Sequence, residues 1–123
     1  MYTLPQEIEV WYIIPAIRKR LAVCMTTHHG ASYEKAGGIL GISKAAVSQY
    51  IKSKRASQVT LHKDAQEEVC KSCELILTNK HNATEEITRI LTFIKKNKLP
   101  SVVCKKKRHG ALAECKEIIV PDY

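Results

Sequence analysis

The sequence predicts an all-α fold, a helix-turn-helix bundle of about five helices with a cysteine-containing C-terminal tail. Three observations carry this. Apolar residues recur at three- and four-residue spacing through most of the chain, while strand-like alternation is scarce. Residues that cap helices stand ahead of the periodic segments. Five glycines, four prolines and 6% aromatics in 123 residues are few for a chain of many short strands and turns. The length fits one compact domain or a small domain with an appendage. The elements divide into a region 1–60 holding the helix-turn-helix and a helical extension 61–123 with a cysteine-bearing segment for dimerisation or sensing.

The first helix is expected from about Gln6 to Met25. Pro15 lies inside it and lacks the N–H of the helical ladder, which predicts a kink or a break there. Ile14, Ile17, Leu21 and Cys24 follow at helical spacing on one face, and Gly30 ends the segment. Ser32 caps a second helix, Tyr33 to Leu40, which Gly41 terminates. Ser43 caps a third, Lys44 to about Lys52. A fourth runs from Lys63 to Thr78, with Ala65, Val69, Cys73 and Ile76 as its apolar stripe. Asn82 opens a fifth, with Glu85 three residues on as a capping box. Ile87, Ile90, Leu91 and Ile94 form its apolar face, and it ends near Lys98, before Leu99-Pro100. The tail holds Cys104, the basic run Lys105 to Arg108, Cys115 and the apolar Ile118-Ile119-Val120. No secondary structure is assigned to it.

The formal net charge is +8. Residues 1–63 carry nine Lys and Arg against three Glu, and residues 64–123 carry eleven against nine acidic residues. The basic excess therefore lies mainly in the N-terminal half, which favours a polyanionic partner; solubility alone is the plainer reading. No apolar run approaches the roughly 20 residues of a membrane span, and no secretory signal pattern opens the chain, so a cytoplasmic location without membrane contact is expected.

The sharpest signal is Ser32 to Arg55. Two short helices that meet through a tight turn need a residue tolerant of left-handed backbone, here Gly41. Their close approach needs small residues, here Ala36 and Gly37. Leu40, Ile42, Val47 and Ile51 anchor the buried faces, with Tyr50 partly buried. The third helix then enters a major groove of double-stranded DNA, exposing Lys44, Ala45, Ser48 and Gln49. Gln49 suits adenine and Ala45 a thymine methyl. Lys52, Lys54 and Arg55 are placed for phosphates, and Ser32 and Tyr33 offer backbone N–H groups to another phosphate. A plain helical hairpin in a bundle is the alternative.

Residues Glu7 to Gln58 resemble archaeal transcription regulators with a repressor-type helix-turn-helix. The stretches VWYIIPAIRKRLA and GILGISKAAVSQYIKSKRAS carry the resemblance over a little under half the chain. NATEEITRILTFIKKNKLP is similar to the part of those regulators that follows. The resemblance implies a helical DNA-binding domain that represses or activates a promoter, acting as a homodimer. The chain departs from the family at Tyr33, where the family usually has a glutamine contacting backbone phosphate.

Five cysteines complete the inventory. Cys24 falls on the apolar face of the first helix and reads as core. Cys70 and Cys73 share a face of the fourth helix, while Cys104 and Cys115 lie in the tail. Together these four could hold an iron–sulfur cluster or a zinc ion. A disulfide switch, or plain buried thiols, are the alternatives. The family's C-terminal segment often carries cysteines, and Cys104 and Cys115 fall where two are expected; Lys107 and Ile118 stand where others would. The pairing with Cys70 and Cys73 is an inference from this chain alone. His28 and His29 read as interacting with a helix end or solvent, His62 has no evident partner, and His109 is a possible substitute ligand.

The expected function is a sequence-specific transcription regulator responsive to redox state or iron. A regulator with structural zinc or a disulfide switch is the second reading, and an antitoxin-like or adaptor protein a further one. No phosphate-binding loop, dinucleotide fingerprint or nucleophile–base pairing marks an enzyme. The apolar face of the fifth helix or the segment Ile8 to Ile14 is expected to form the dimer interface.

Overall fold

The computed structural model of the chain describes residues 5–52, 59–105 and 114–120. The N-terminal helix is longer than expected. It passes through α1 (Pro5–Ile8), a π turn (Glu9–Ile13), α2 (Ile14–Val23) and a second π turn (Cys24–His28), with right-handed helical backbone at each junction. The first π turn is the answer to Pro15. Ile14 N–H bonds to Glu9 O, one residue beyond the α-helical partner. The wider turn lies just ahead of the proline, where the ladder cannot continue normally, and lets the helix carry on without breaking. The second π turn closes with His29 N–H to Cys24 O at 3.2 Å.

Two short helices follow, α3 (Tyr33–Leu40) and α4 (Lys44–Ile51). Ser32 Oγ accepts from Lys35 N and Ser43 Oγ from Ala46 N, each at 3.0 Å, so both expected caps are in place. Gly41 takes φ +71°, the left-handed turn that ends α3. Gly37 permits the close approach that follows. A Cβ built on it would stand 2.7 Å from the carbonyl oxygen of Ile42. That oxygen is backbone and cannot step aside cheaply. Alanine gains up to about 1 kcal/mol of helix propensity here, but overpacking costs about 1–3 kcal/mol. Gly37→Ala is therefore expected to lower stability, measured as a fall in the urea midpoint at unchanged slope.

After β1 (Val59–Thr60) come α5 (Lys63–Leu77) and α6 (Ala83–Lys96). Asn82 caps α6, accepting from Glu85 N at 2.8 Å and donating from Nδ2 to Glu85 Oε1 at 3.0 Å. α2 sits at the centre, touching α3, α4, α5 and α6. Ile13, Ile17, Leu21, Met25, Val47, Val69, Ile90 and Ile94 fill the core between them.

The all-α expectation holds for most of the molecule and fails in the tail. β2 (Ser101–Lys105) and β3 (Glu114–Ile118) form with β1 a three-stranded antiparallel sheet in the order β1-β2-β3. The physical reason lies in burial: Ser101, Val103 and Val120 are buried, Ile118 packs against the core, and the alternation within Ser101-Val102-Val103-Cys104 is too short to stand out in sequence. Cys104 and Cys115 lie opposite one another across β2 and β3 and are joined as a disulfide.

The apolar face of α6 is not free for a partner either. Ile90 and Ile94 are buried in the chain's own core, with Ile87 and Leu91 packed against it. The large apolar side chains exposed among the described residues are Val10, Trp11 and Ile119.

Candidate nucleic-acid interface and cysteine–histidine cluster

α4 separates its residues by face. Ala46, Val47 and Tyr50 are buried, which fixes the helix against its neighbours. Lys44, Ala45 and Lys52 are exposed, and Ser48 and Gln49 are half-buried. These five fall at the helical spacing that lines one face. The helix contains no acidic residue. Ser32 is exposed and its hydroxyl is already engaged as the α3 cap, whereas Tyr33 is half-buried against the core. Tyr33 thus has a packing role that the sequence did not reveal. Lys54 and Arg55 lie outside the described residues, as do Lys106 to Arg108 and His109.

Two of the acidic side chains, Glu68 and Glu86, are engaged between α5 and α6. Arg89 on α6 joins Glu68 through Nη1 at 2.8 Å, Ser72 Oγ through Nη2 at 2.7 Å, and both carboxylate oxygens of Glu86 through Nε at 3.3 Å. Ser72 Oγ also donates to Glu86 at 2.9 Å. Glu86 and Ser72 are buried. The Arg89 guanidinium holds the Glu68 carboxyl below its ordinary value. This network ties α5 to α6 and pairs Glu68 and Glu86 with a cation of their own.

The four cysteines expected to share one cluster are not brought together. Cys104 and Cys115 are consumed by their own bond, because strand pairing sets them directly opposite. Cys70 and Cys73 stay on α5, Cys70 exposed and Cys73 buried. A different group assembles instead. The ligand atoms of Cys24, His29 and Cys73 all lie within 4.8 Å of one another, and this group could hold a metal ion. Cys24 and Cys73 are buried and His29 is exposed. Burial pushes both thiols up from their ordinary value, so neither is a nucleophile on its own account.

Sequence reasoning placed Cys24 in the core and His29 at a helix end, and so missed the pair. In an α-helix, residues five apart point in different directions. The π turn from Cys24 to His28 changes that, because its i→i+5 closure folds His29 back over Cys24. The one signal present in sequence was the spacing Cys24-x4-His29 itself, within the usual range for paired metal ligands. His62 also has a role that sequence did not show: its Nδ1 accepts from Asp64 N at 3.1 Å as the cap of α5.

No helix among the described residues is long and apolar enough to cross a membrane. Comparison of the chain with protein-family models, with curated proteins and with solved structures finds no match.

Proposed function

We propose that the chain is a sequence-specific DNA-binding regulator of transcription, with α4 as the helix that enters the major groove. The observation that supports this best is the division of α4. One face is fixed by Ala46, Val47 and Tyr50, and the other offers two lysines, two short side chains and one amide, with no acidic residue. Short side chains let a helix sit deep in the groove, and the amide supplies a base-reading group. Lys44 and Lys52, with Lys54 and Arg55 beyond the described residues, serve the phosphates. The resemblance of Glu7 to Gln58 to repressor-type archaeal regulators belongs to the same reading.

Homodimerisation is part of it, since one recognition helix reads few bases. With the face of α6 buried in the core, exposed Val10 and Trp11 make the Ile8 to Ile14 segment the better contact. The redox element of the reading is the Cys104–Cys115 disulfide. It joins β2 to β3, and β2 pairs with β1, the first described element after α4. Reduction therefore loosens the sheet that anchors the exit from the reading helix.

Selection from randomised duplexes, under oxidising and reducing conditions, tests this. Gln49→Ala is expected to relax preference at one base position per half-site, costing about 1–3 kcal/mol of discrimination there. An unchanged base preference would remove Gln49 from the reading face.

A further inference from the structure

We infer that Cys24, His29, Cys70 and Cys73 form a four-coordinate site for a single borderline-soft divalent cation of the zinc type, with three thiolates and one imidazole as ligands. This goes beyond the DNA-binding reading and does not depend on it.

Three of the ligands are already gathered. The mutual limit of 4.8 Å for Cys24, His29 and Cys73 compares with the edges of a tetrahedron around one zinc ion, about 3.5–3.8 Å for bonds of about 2.0–2.3 Å. Only a small contraction separates the two. Cys70 supplies the fourth position. It stands one turn before Cys73 on α5, on the same side of that helix, and it is exposed, so it can swing inward without leaving a hole. The ligands then come as two short-range pairs, Cys24-x4-His29 and Cys70-x2-Cys73, from two elements in contact. That is the pattern of structural zinc sites, where each pair rests on its own local turn.

The donor set selects the ion. Thiolate and imidazole reject calcium and magnesium, which take oxygen ligands. The compactness of the group suits one ion rather than a multinuclear iron–sulfur cluster, whose protein ligands are usually four thiolates attached to different metal atoms. The exposed side, at His29 and Cys70, gives the ion a way in. Bound there, the ion fastens the end of the N-terminal helix to α5. It also fixes the connector three residues ahead of Ser32, the cap of α3.

The test uses the full chain, prepared metal-free under anaerobic conditions and titrated with cobalt(II), then with zinc. One cobalt per chain is expected, with visible bands of tetrahedral strength and a thiolate charge-transfer band in the near ultraviolet, all displaced by zinc. His29→Ala removes a surface side chain and leaves the core intact; it is expected to weaken zinc binding at least tenfold. Cys70→Ser is expected to remove about a third of the charge-transfer intensity, since one of three thiolates is lost. Replacing both Cys104 and Cys115 by serine leaves all bands unchanged. The inference is overturned by the absence of tetrahedral cobalt bands, by bands that His29→Ala and Cys70→Ser leave unmoved, or by bands lost with Cys104 and Cys115. A count of one free thiol in the chelated, denatured protein, in place of three, would also overturn it, because Cys24, Cys70 and Cys73 could not then all be ligands.

Discussion

Replacing Arg89 by alanine is expected to lower stability at neutral pH by about 1–3 kcal/mol, the range for leaving a buried polar group short of a partner. Arg89 itself is partly exposed, and its arm to Glu68 is screened by solvent. The cost comes from Glu86, whose side chain is only 2% exposed. Without Arg89 this carboxylate keeps the Ser72 hydroxyl and the more distant His81 imidazole at 3.7 Å. A second substitution separates this cause from lost packing. Glu86→Gln in the Arg89→Ala background keeps the shape and removes the unpaired charge, so it is expected to restore part of the loss. Equal stability of the single and double variants would assign the effect to packing instead. The network also has an acid limb. Glu68 is held below its ordinary value of 4.5, chiefly by its hydrogen bond to Arg89. A carboxyl with a lowered folded-state value stabilises the fold above its unfolded value, and that contribution disappears as pH falls through the lowered one. Arg89→Ala is therefore expected to flatten the acid side of the stability profile.

Placing a glutamate at Ala45 is expected to reduce DNA affinity at least 100-fold, about 2.7 kcal/mol, without a matching loss of stability. Ala45 is exposed near the start of α4, on the same face as Ser48 and Gln49. A carboxylate at the major-groove edge meets phosphate on both sides and the acceptor-rich edges of the bases, and nothing in that position neutralises it. The fold should be indifferent, or slightly favourable, because acidic residues suit the first turn of a helix. The urea midpoint of Ala45→Glu measures the second half of this statement and fluorescence anisotropy on duplex DNA the first. Unchanged affinity in a folded variant would remove α4 from the interface.

The helices were legible because their signals are local. Ser32, Ser43 and Asn82 each accept the backbone N–H that their positions implied, and Gly41 turns where a left-handed residue was needed. Gly37, one of the two small residues expected to let the helices approach closely, lies where α3 meets the Ile42 carbonyl. The tail was not legible. Its strands owe their existence to pairing between residues about a dozen apart and to burial of Val103 and Val120, neither of which leaves a local pattern. The thiols were assigned to the wrong neighbours for the same reason. Spacing in sequence grouped Cys70 and Cys73 with the tail, whereas strand register paired Cys104 with Cys115, and a π turn brought His29 to Cys24. A shift of one residue in helical register was enough to hide a cluster whose members are all visible in the sequence.

Whether α4 reads duplex DNA is decided by salt dependence combined with competition. Affinity for a selected duplex, for a random duplex and for heparin should be measured across a range of salt. Log K is expected to fall linearly with log salt for all three, reflecting release of about 0.9 counterion per phosphate contact on DNA. The selected duplex is expected to stay at least about 1,000-fold tighter than the random one, with half-sites about one helical turn apart. Equal affinity for all three would contradict base reading by α4, and would leave the basic N-terminal half as a surface that attracts polyanions without reading them.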